Sequence, residues 1–178
     1  MRPSQEQDYR EWALARRDHL RRTAFLLCGD WHLADDVTQM TLIKMYAAWP
    51  RIRRDDKPDA YAHRVLVNCW LDERRRPWRR SERSNEVLSP AGLPDLTDDA
   101  LTRQVVLRAL AALAPRQRAV VVLRYWEDLN VAQTAAILNC SVGTVKSQTS
   151  KAQTRLRTLL GDRVADFAHH GSTRPEAR

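Results

Sequence analysis

An all-α fold, built as two small helical domains joined by a flexible linker with a helix-turn-helix in the second, is predicted by three features of the sequence. Five glycines in 178 residues and hardly any alternating β-branched run leave little material for sheets. Long segments instead repeat apolar side chains at helical spacing among good helix formers. Between two such regions, residues 84–97 (SNEVLSPAGLPDLT) are rich in Ser, Pro and Gly with little apolar periodicity, which is linker composition.

The elements follow in order. Ser4 to Gln7 reads as a capping box opening a helix that runs to about Cys28, where Gly29-Asp30 breaks it. Asp30 can cap the next helix, in which Ala34, Val37, Thr38, Thr41, Leu42, Met45 and Trp49 share one face, and Pro50 stops it. Pro58 starts a third helix through AYAHRVLVNCWLDERRR, interrupted at Pro77. These helices define a first domain over 5–80, followed by a linker over 81–97. A second domain over 98–160 contains LTRQVVLRALAAL, a break at Ala114-Pro115, RQRAVVVLRYWEDL and a helix-turn-helix. Residues 161–178 read as a flexible tail, so His169-His170 are tail residues rather than a metal site.

The helix-turn-helix is specified in detail. Asn130 can cap its first helix, whose Thr134, Ala135 and Leu138 offer a small, mostly apolar face for a close crossing. Asn139 stands where a left-handed residue ends a helix, and Ser141 is placed to cap the next through the amide near Thr144. In that second helix Val145, Ala152, Leu156 and Leu159 recur at inward spacing. Lys146, Ser147, Ser150, Lys151 and Thr154 fall on the opposite face. Cations and small hydroxyls at that spacing suit a helix in a major groove, touching phosphates and base edges.

Charge narrows the function classes. Thirty Lys and Arg against 22 Asp and Glu give a net charge of +8, which favours a polyanionic partner. No apolar run approaches 18 residues and the N-terminus lacks a signal-peptide stretch, so a cytoplasmic chain without membrane insertion is expected. Cys28, Cys69 and Cys140 are too far apart for a metal motif and read as reduced thiols. Neither a cofactor nor a metal is expected, and no catalytic set is present: a phosphate-cradling Gly-rich loop, HExxH and a coherent Ser/His/Asp arrangement are all missing.

The segments LADDVTQMTLIKMYAAW and AYAHRVLVNCWLDERRR, a polar linker, and LAPRQRAVVVLRYWEDLNVAQTAAILNCSVGTVKSQTSKAQTRLR together resemble the extracytoplasmic-function type of bacterial sigma factor over about residues 9–160. The resemblance implies a first domain that docks on the clamp helices of core RNA polymerase and reads and opens the minus-ten element. It implies a second domain that reads the minus-thirty-five element and contacts the polymerase flap. On it, Asp35, Asp36, Gln39, Met40 and Ile43 are the polymerase-docking residues, with Met40 standing where the family usually has an acid. Arg64 to Asp72 corresponds to the strand-capturing segment, with Asn68 at the position that hydrogen-bonds an extruded base and Trp70 as a candidate stacking platform or a core aromatic. Arg74, Arg75, Arg76, Arg79 and Arg80, with Arg83 and only Glu82 opposing them within 74–83, supply dense phosphate-pairing charge. Ser141, Thr144, Lys146, Ser147, Gln148, Ser150 and Lys151 are the minus-thirty-five readers, Gln148 and Lys151 replacing arginines common in the family.

The implied partners are core RNA polymerase, promoter DNA and an anti-sigma factor, for a chain that is monomeric when free. In the free chain the tether is expected to fix no geometry between the two readers. A free-standing, dimeric helix-turn-helix regulator remains the rival reading, and a nuclease built on Asp35 and Asp36 a remote one.

Overall fold

Helix α1 (Pro3–Cys28) begins one residue ahead of the predicted box, because Pro3 supplies a fixed φ at the first helical position and Gln5 accepts from the Arg2 amide at 3.0 Å. The structure, a computed structural model, describes residues 2–52, 58–75 and 100–161. Gly29 ends α1 at φ 81, a left-handed conformation that a residue without Cβ adopts freely, and its amide returns to the Phe25 carbonyl. Asp30 caps α2 (Trp31–Ala48) through the Leu33 amide, as predicted. Pro50 then diverts the chain into a short 3₁₀ turn (Trp49–Arg51). Helix α3 spans Pro58–Arg75.

In the second unit, α4 (Ala100–Ala111) is followed by α5 (Pro115–Val121). The segment RQRAVVVLRYWEDL, read as one helix, instead passes into a π turn at Val122–Trp126, closed by the Glu127 amide on the Val122 carbonyl at 3.1 Å. That wider turn re-aims Trp126 and Glu127, and Asp128 at φ 49 completes the change of direction. Helices α6 (Val131–Leu138) and α7 (Val142–Leu160) form the predicted helix-turn-helix.

The first unit is a three-helix layer. Apolar faces of α1, α2 and α3 close over Phe25, Leu27, Val37, Met45, Leu66 and Trp70, each nearly water-free and each stabilising by about 1.5–3 kcal/mol from burial alone. Thr38 and Thr41, buried in that face, return their hydroxyls to the Ala34 and Val37 carbonyls, so no polar atom of theirs is stranded. Tyr9 packs edge to face with Tyr46 and Trp49, Trp12 lies tilted against Trp49, and the Trp12 indole and Arg16 both donate to Asp59 of α3.

The two units are not independent, which corrects the expected free tether. One apolar core runs from Leu20, Leu27 and Leu66 to Leu107, Leu113, Val122, Leu123 and Ile137. Apolar surface on both units would otherwise face water, so packing them together removes it. Polar groups cross the same seam. Arg118 of α5, buried, donates to the Leu110 carbonyl at 2.6 Å and to the Leu27 carbonyl at 2.7 Å. Arg64 of α3 donates to the Ala136 carbonyl of α6 at 3.0 Å. The linker over 81–97, the interruption at Pro77 and the tail beyond Gly161 lie outside the described residues.

Candidate nucleic-acid interface

Helix α7 carries four cations (Lys146, Lys151, Arg155 and Arg157) and no acid. Its orientation is fixed by Val145 and Ala152, both fully buried against α5 and α6. With about 100° per residue, Lys146, Ser147, Ser150, Lys151 and Thr154 turn to the far side, and all five are exposed. Gln148 is half-buried and stands nearer the packed side than those five. Leu159, expected inward, is exposed: α7 outlasts the core it packs on, so the periodicity continues where none of the described residues covers it.

The turn places this helix as predicted. Asn130 accepts from the Gln133 amide at 2.9 Å while Gln133 reaches back to the Asn130 amide at 2.8 Å, a reciprocal cap for α6. Asn139 sits at φ 48. Ser141 caps α7 through the Thr144 amide at 3.0 Å, and the two hydroxyls meet at 2.9 Å, so both are engaged at the helix start. Thr134 and Ala135 are buried and Leu138 partly so, with Ile137 a further buried contact that the reading of the face omitted.

On α3 an exposed ridge runs Tyr61, Arg64, Asn68, Asp72, Arg75, each three or four residues from the next. Asn68 therefore presents its amide outward, and Arg75 lies 3.7 Å from Asp72. Trp70 does not belong to this ridge. Two residues beyond Asn68 is about 200° around the helix, and the ring is 1% exposed in the core, with the Arg74 guanidinium 5.6 Å from its centroid. It is a core aromatic and not a stacking platform; the exposed aromatic on the Asn68 ridge is Tyr61, two turns (about 10 Å) nearer the start of α3, which the sequence reading missed. Arg76, Arg79, Arg80 and Arg83 lie outside the described residues.

On α2, Asp36, Gln39, Met40 and Ile43 share an exposed face, with Met40 at 43% and Ile43 at 62% exposure and Tyr46 continuing the stripe. Exposed large apolar groups in a row mark a surface that another protein covers. Asp35 departs from that face: its carboxylate pairs with Arg21 of α1, whose guanidinium also lies 4.3 Å over the Trp31 ring. The bidentate partner holds the Asp35 carboxyl below its usual value. Asp35 thus ties α2 to α1 through a part-exposed ion pair.

One polar cluster had no local sequence signal. Glu127, after the π turn, is buried against the first unit, where its Oε2 lies 2.8 Å from His19 Nε2 and 3.0 Å from His63 Nε2. Its Oε1 accepts from the Thr23 hydroxyl, which accepts in turn from the Trp126 indole at 3.1 Å. Burial alone would raise this carboxyl, but the hydrogen bonds from His19, His63 and Thr23 outweigh it and bring it down to about 2. The same hydrogen bond raises His19 against the lowering effect of its burial.

Known proteins share this arrangement. Residues 103–156 match the family model described as sigma-70, region 4, and residues 13–80 that described as sigma-70 region 2. The chain is 37% identical over 163 residues to an RNA polymerase sigma-E factor of Streptomyces avermitilis, covering 89% of this chain and 88% of the relative. It is 35% identical over 150 residues to the ECF RNA polymerase sigma factor SigM of Mycobacterium tuberculosis, covering 83% and 76%. Among solved structures, the sigma factor RpoE in complex with the anti-sigma factor NepR from Bartonella quintana superposes with a TM-score of 0.74 at 28% identity, over 88% of this chain and 98% of that one. CnrH in complex with the cytosolic domain of CnrY shares the fold, with a TM-score of 0.65 at 22% identity over 87% and 88%. Among the described residues no helix is long and apolar enough to cross a membrane.

Proposed function

Because the chain belongs to the sigma-70 family, in its extracytoplasmic-function branch, we propose that it binds core RNA polymerase and directs initiation at promoters read through two elements. The observation that carries this reading is that one chain presents two outward readers of different chemistry: the acid-free cationic face of α7 and the Tyr61–Arg64–Asn68 ridge of α3. Lys146, Ser147, Ser150 and Lys151 read the upstream element in the major groove, where the lysines hold phosphates and the hydroxyls reach base edges. Asn68 reads a base extruded from the melted strand, with Tyr61 on the same ridge for stacking and Arg64, Arg75 and the arginines to Arg80 on the backbone. The Asp36–Gln39–Met40–Ile43 face docks on polymerase, residues 5–80 serving as the docking and melting unit and 98–160 as the upstream reader. The same apolar stripe suits an anti-sigma partner, and the RpoE structure that this chain resembles is itself a complex with the anti-sigma factor NepR.

The packed seam adds a condition to this function. Arg64 is exposed but one of its N–H groups is engaged by the Ala136 carbonyl, so parting of α3 and α6 would free its whole donor fork for DNA. Polymerase supplies the force for that separation by holding each unit at its own site, after which each reader raises the effective concentration of the other.

In vitro transcription tests the reading directly: purified protein with bacterial core polymerase on a genomic fragment library, start sites sequenced. Defined starts sharing two upstream elements are expected. Absence of core binding, with a dimer shifting a palindromic duplex, would establish a free-standing regulator instead. Two variants localise the readers. Asn68→Ala is expected to impair permanganate-detected strand opening on a cognate promoter while leaving core binding intact; normal opening rejects the base contact. Lys146→Ala with Lys151→Ala is expected to flatten the salt dependence of upstream-element binding, each lost phosphate contact lowering the log–log slope by about 0.9. An unchanged slope places these lysines away from DNA.

A further inference from the structure

We propose that His19, His63 and Glu127 form a binding site for a borderline divalent cation of the zinc or cobalt kind, set in the seam between the two helical units. The three residues come from α1, α3 and the turn after the π segment, and their ligand-capable atoms all lie within 4.8 Å of one another. Two imidazoles and one carboxylate are the donor set such cations favour over magnesium or calcium.

Geometry supports the fit. Four-coordinate zinc holds its ligands at about 2.0–2.2 Å, which puts neighbouring donor atoms roughly 3.3 Å apart. The two ring nitrogens now sit 2.8 and 3.0 Å from the same carboxylate oxygen, so admission of a cation requires each of them to move a few tenths of an ångström from that oxygen, and all the ligand atoms already lie within 4.8 Å of one another. The rings currently donate Nε2–H to Glu127; with the ring proton on Nδ1, the same Nε2 lone pairs point at the space between them. His63 Nδ1 has no hydrogen-bond partner among the described residues, so it is free to take the ring proton when a cation replaces the Nε2–H···Glu127 hydrogen bond.

The surroundings hold the ligands in place. The Trp126 ring stacks on His19 at 6.0 Å and 10°, and Thr23 occupies Glu127 Oε1, leaving Oε2 as the ligand atom. Such outer contacts orient ligands and sharpen affinity. His63 and Glu127 side chains are 10% and 5% exposed, whereas His19 is 40% exposed, so a water can complete the coordination from its side. The ligands meet only when the two units are packed. A bound cation therefore stabilises the packed form by mass action and opposes the separation that frees Arg64.

The test titrates Co²⁺ and then Zn²⁺ into the full chain carrying His169→Ala and His170→Ala, which removes the neighbouring ring pair of the tail as a rival ligand. Visible ligand-field absorption saturating at one Co²⁺ per chain, bleached by Zn²⁺, and a metal-dependent rise in Tm are expected. His19→Ala, on the solvent side where truncation spares the core, should weaken the metal at least about tenfold and abolish the Tm response. Glu127→Gln, similar in shape without the anion, should do the same. Absence of absorption and of any Tm response, or a cobalt spectrum that survives both substitutions, overturns the proposal and leaves the cluster a hydrogen-bonded ion pair.

Discussion

Replacing Arg118 with alanine is expected to destabilise the protein by roughly 3 kcal/mol, seen as a lowered urea midpoint and a fall in Tm of roughly 6–12 °C. Arg118 is buried, yet it is held by two carbonyls at helix ends, that of Leu27 and that of Leu110, which also accepts from the Leu113 amide at 3.1 Å. Leu27 lies in the last turn of α1 and Leu110 in the last turn of α4, where the final carbonyls lack an amide partner four residues on. The guanidinium meets both, and its charge also complements the negative end of each helix dipole. Alanine removes two charge-assisted hydrogen bonds, leaves the Leu27 oxygen without this donor and the Leu110 oxygen with only the Leu113 amide, and opens a cavity. Arg118→Lys should recover only part of the loss, since a single ammonium on a flexible stem cannot fork to both oxygens. A shift below about 1 kcal/mol for the alanine variant would show that water readily replaces the side chain. Because the contact spans both units, the variant should also expose the seam, with faster amide exchange at the end of α1.

Arg118 also shows what the sequence could and could not disclose. The caps of α6 and α7, the left-handed Asn139 and the outward lysines were legible because each signal and its partner lie within one or two turns of one helix. Arg118 meets a carbonyl 91 positions away and Glu127 meets rings 64 and 108 positions away, so nothing in their neighbourhood announces a partner. The π turn is equally silent, since VVVLRYW has ordinary helical periodicity and the extra residue is a tertiary compromise that aims Glu127 at α1. Other departures were within reach. The step from Asn68 to Trp70, about 200°, already sends the ring to the opposite side, and the step from Asp35 to Asp36 already separates a structural carboxylate from a surface one. Periodicity names a face; it does not say where the neighbour covering that face ends, which is why Leu159 was misplaced.

Acid is expected to loosen the seam through Glu127, and the sign follows from its depressed carboxyl. In metal-free protein, kept so by a chelator, Glu127 titrates at about 2 when folded against 4.5 when exposed. The folded state therefore gains stability wherever the unfolded carboxyl is ionised, fully above pH 4.5, and loses it as pH falls toward 2. The contribution is on the order of 3 kcal/mol. His19 acts in the opposite direction. Its folded pKa is raised, so its contribution is complete below 6.5 and disappears as pH rises through the folded value. Arg16 and Arg22 oppose that rise, and the Glu127 hydrogen bond overcomes them. The seam is thus most stable between about pH 4.5 and 6.5, where the carboxylate is charged and His19 protonated. Urea midpoints measured from pH 7 down to 2.5 should fall more steeply below 4.5 in the wild type than in Glu127→Gln, which carries no titrating group there. Other carboxylates, such as Asp35 beside Arg21, contribute equally to both proteins and cancel in the difference. Parallel curves for the two proteins would mean that the carboxylate is not held ionised by its neighbours, and that the apolar core and the Arg118 and Arg64 hydrogen bonds keep the units together without it.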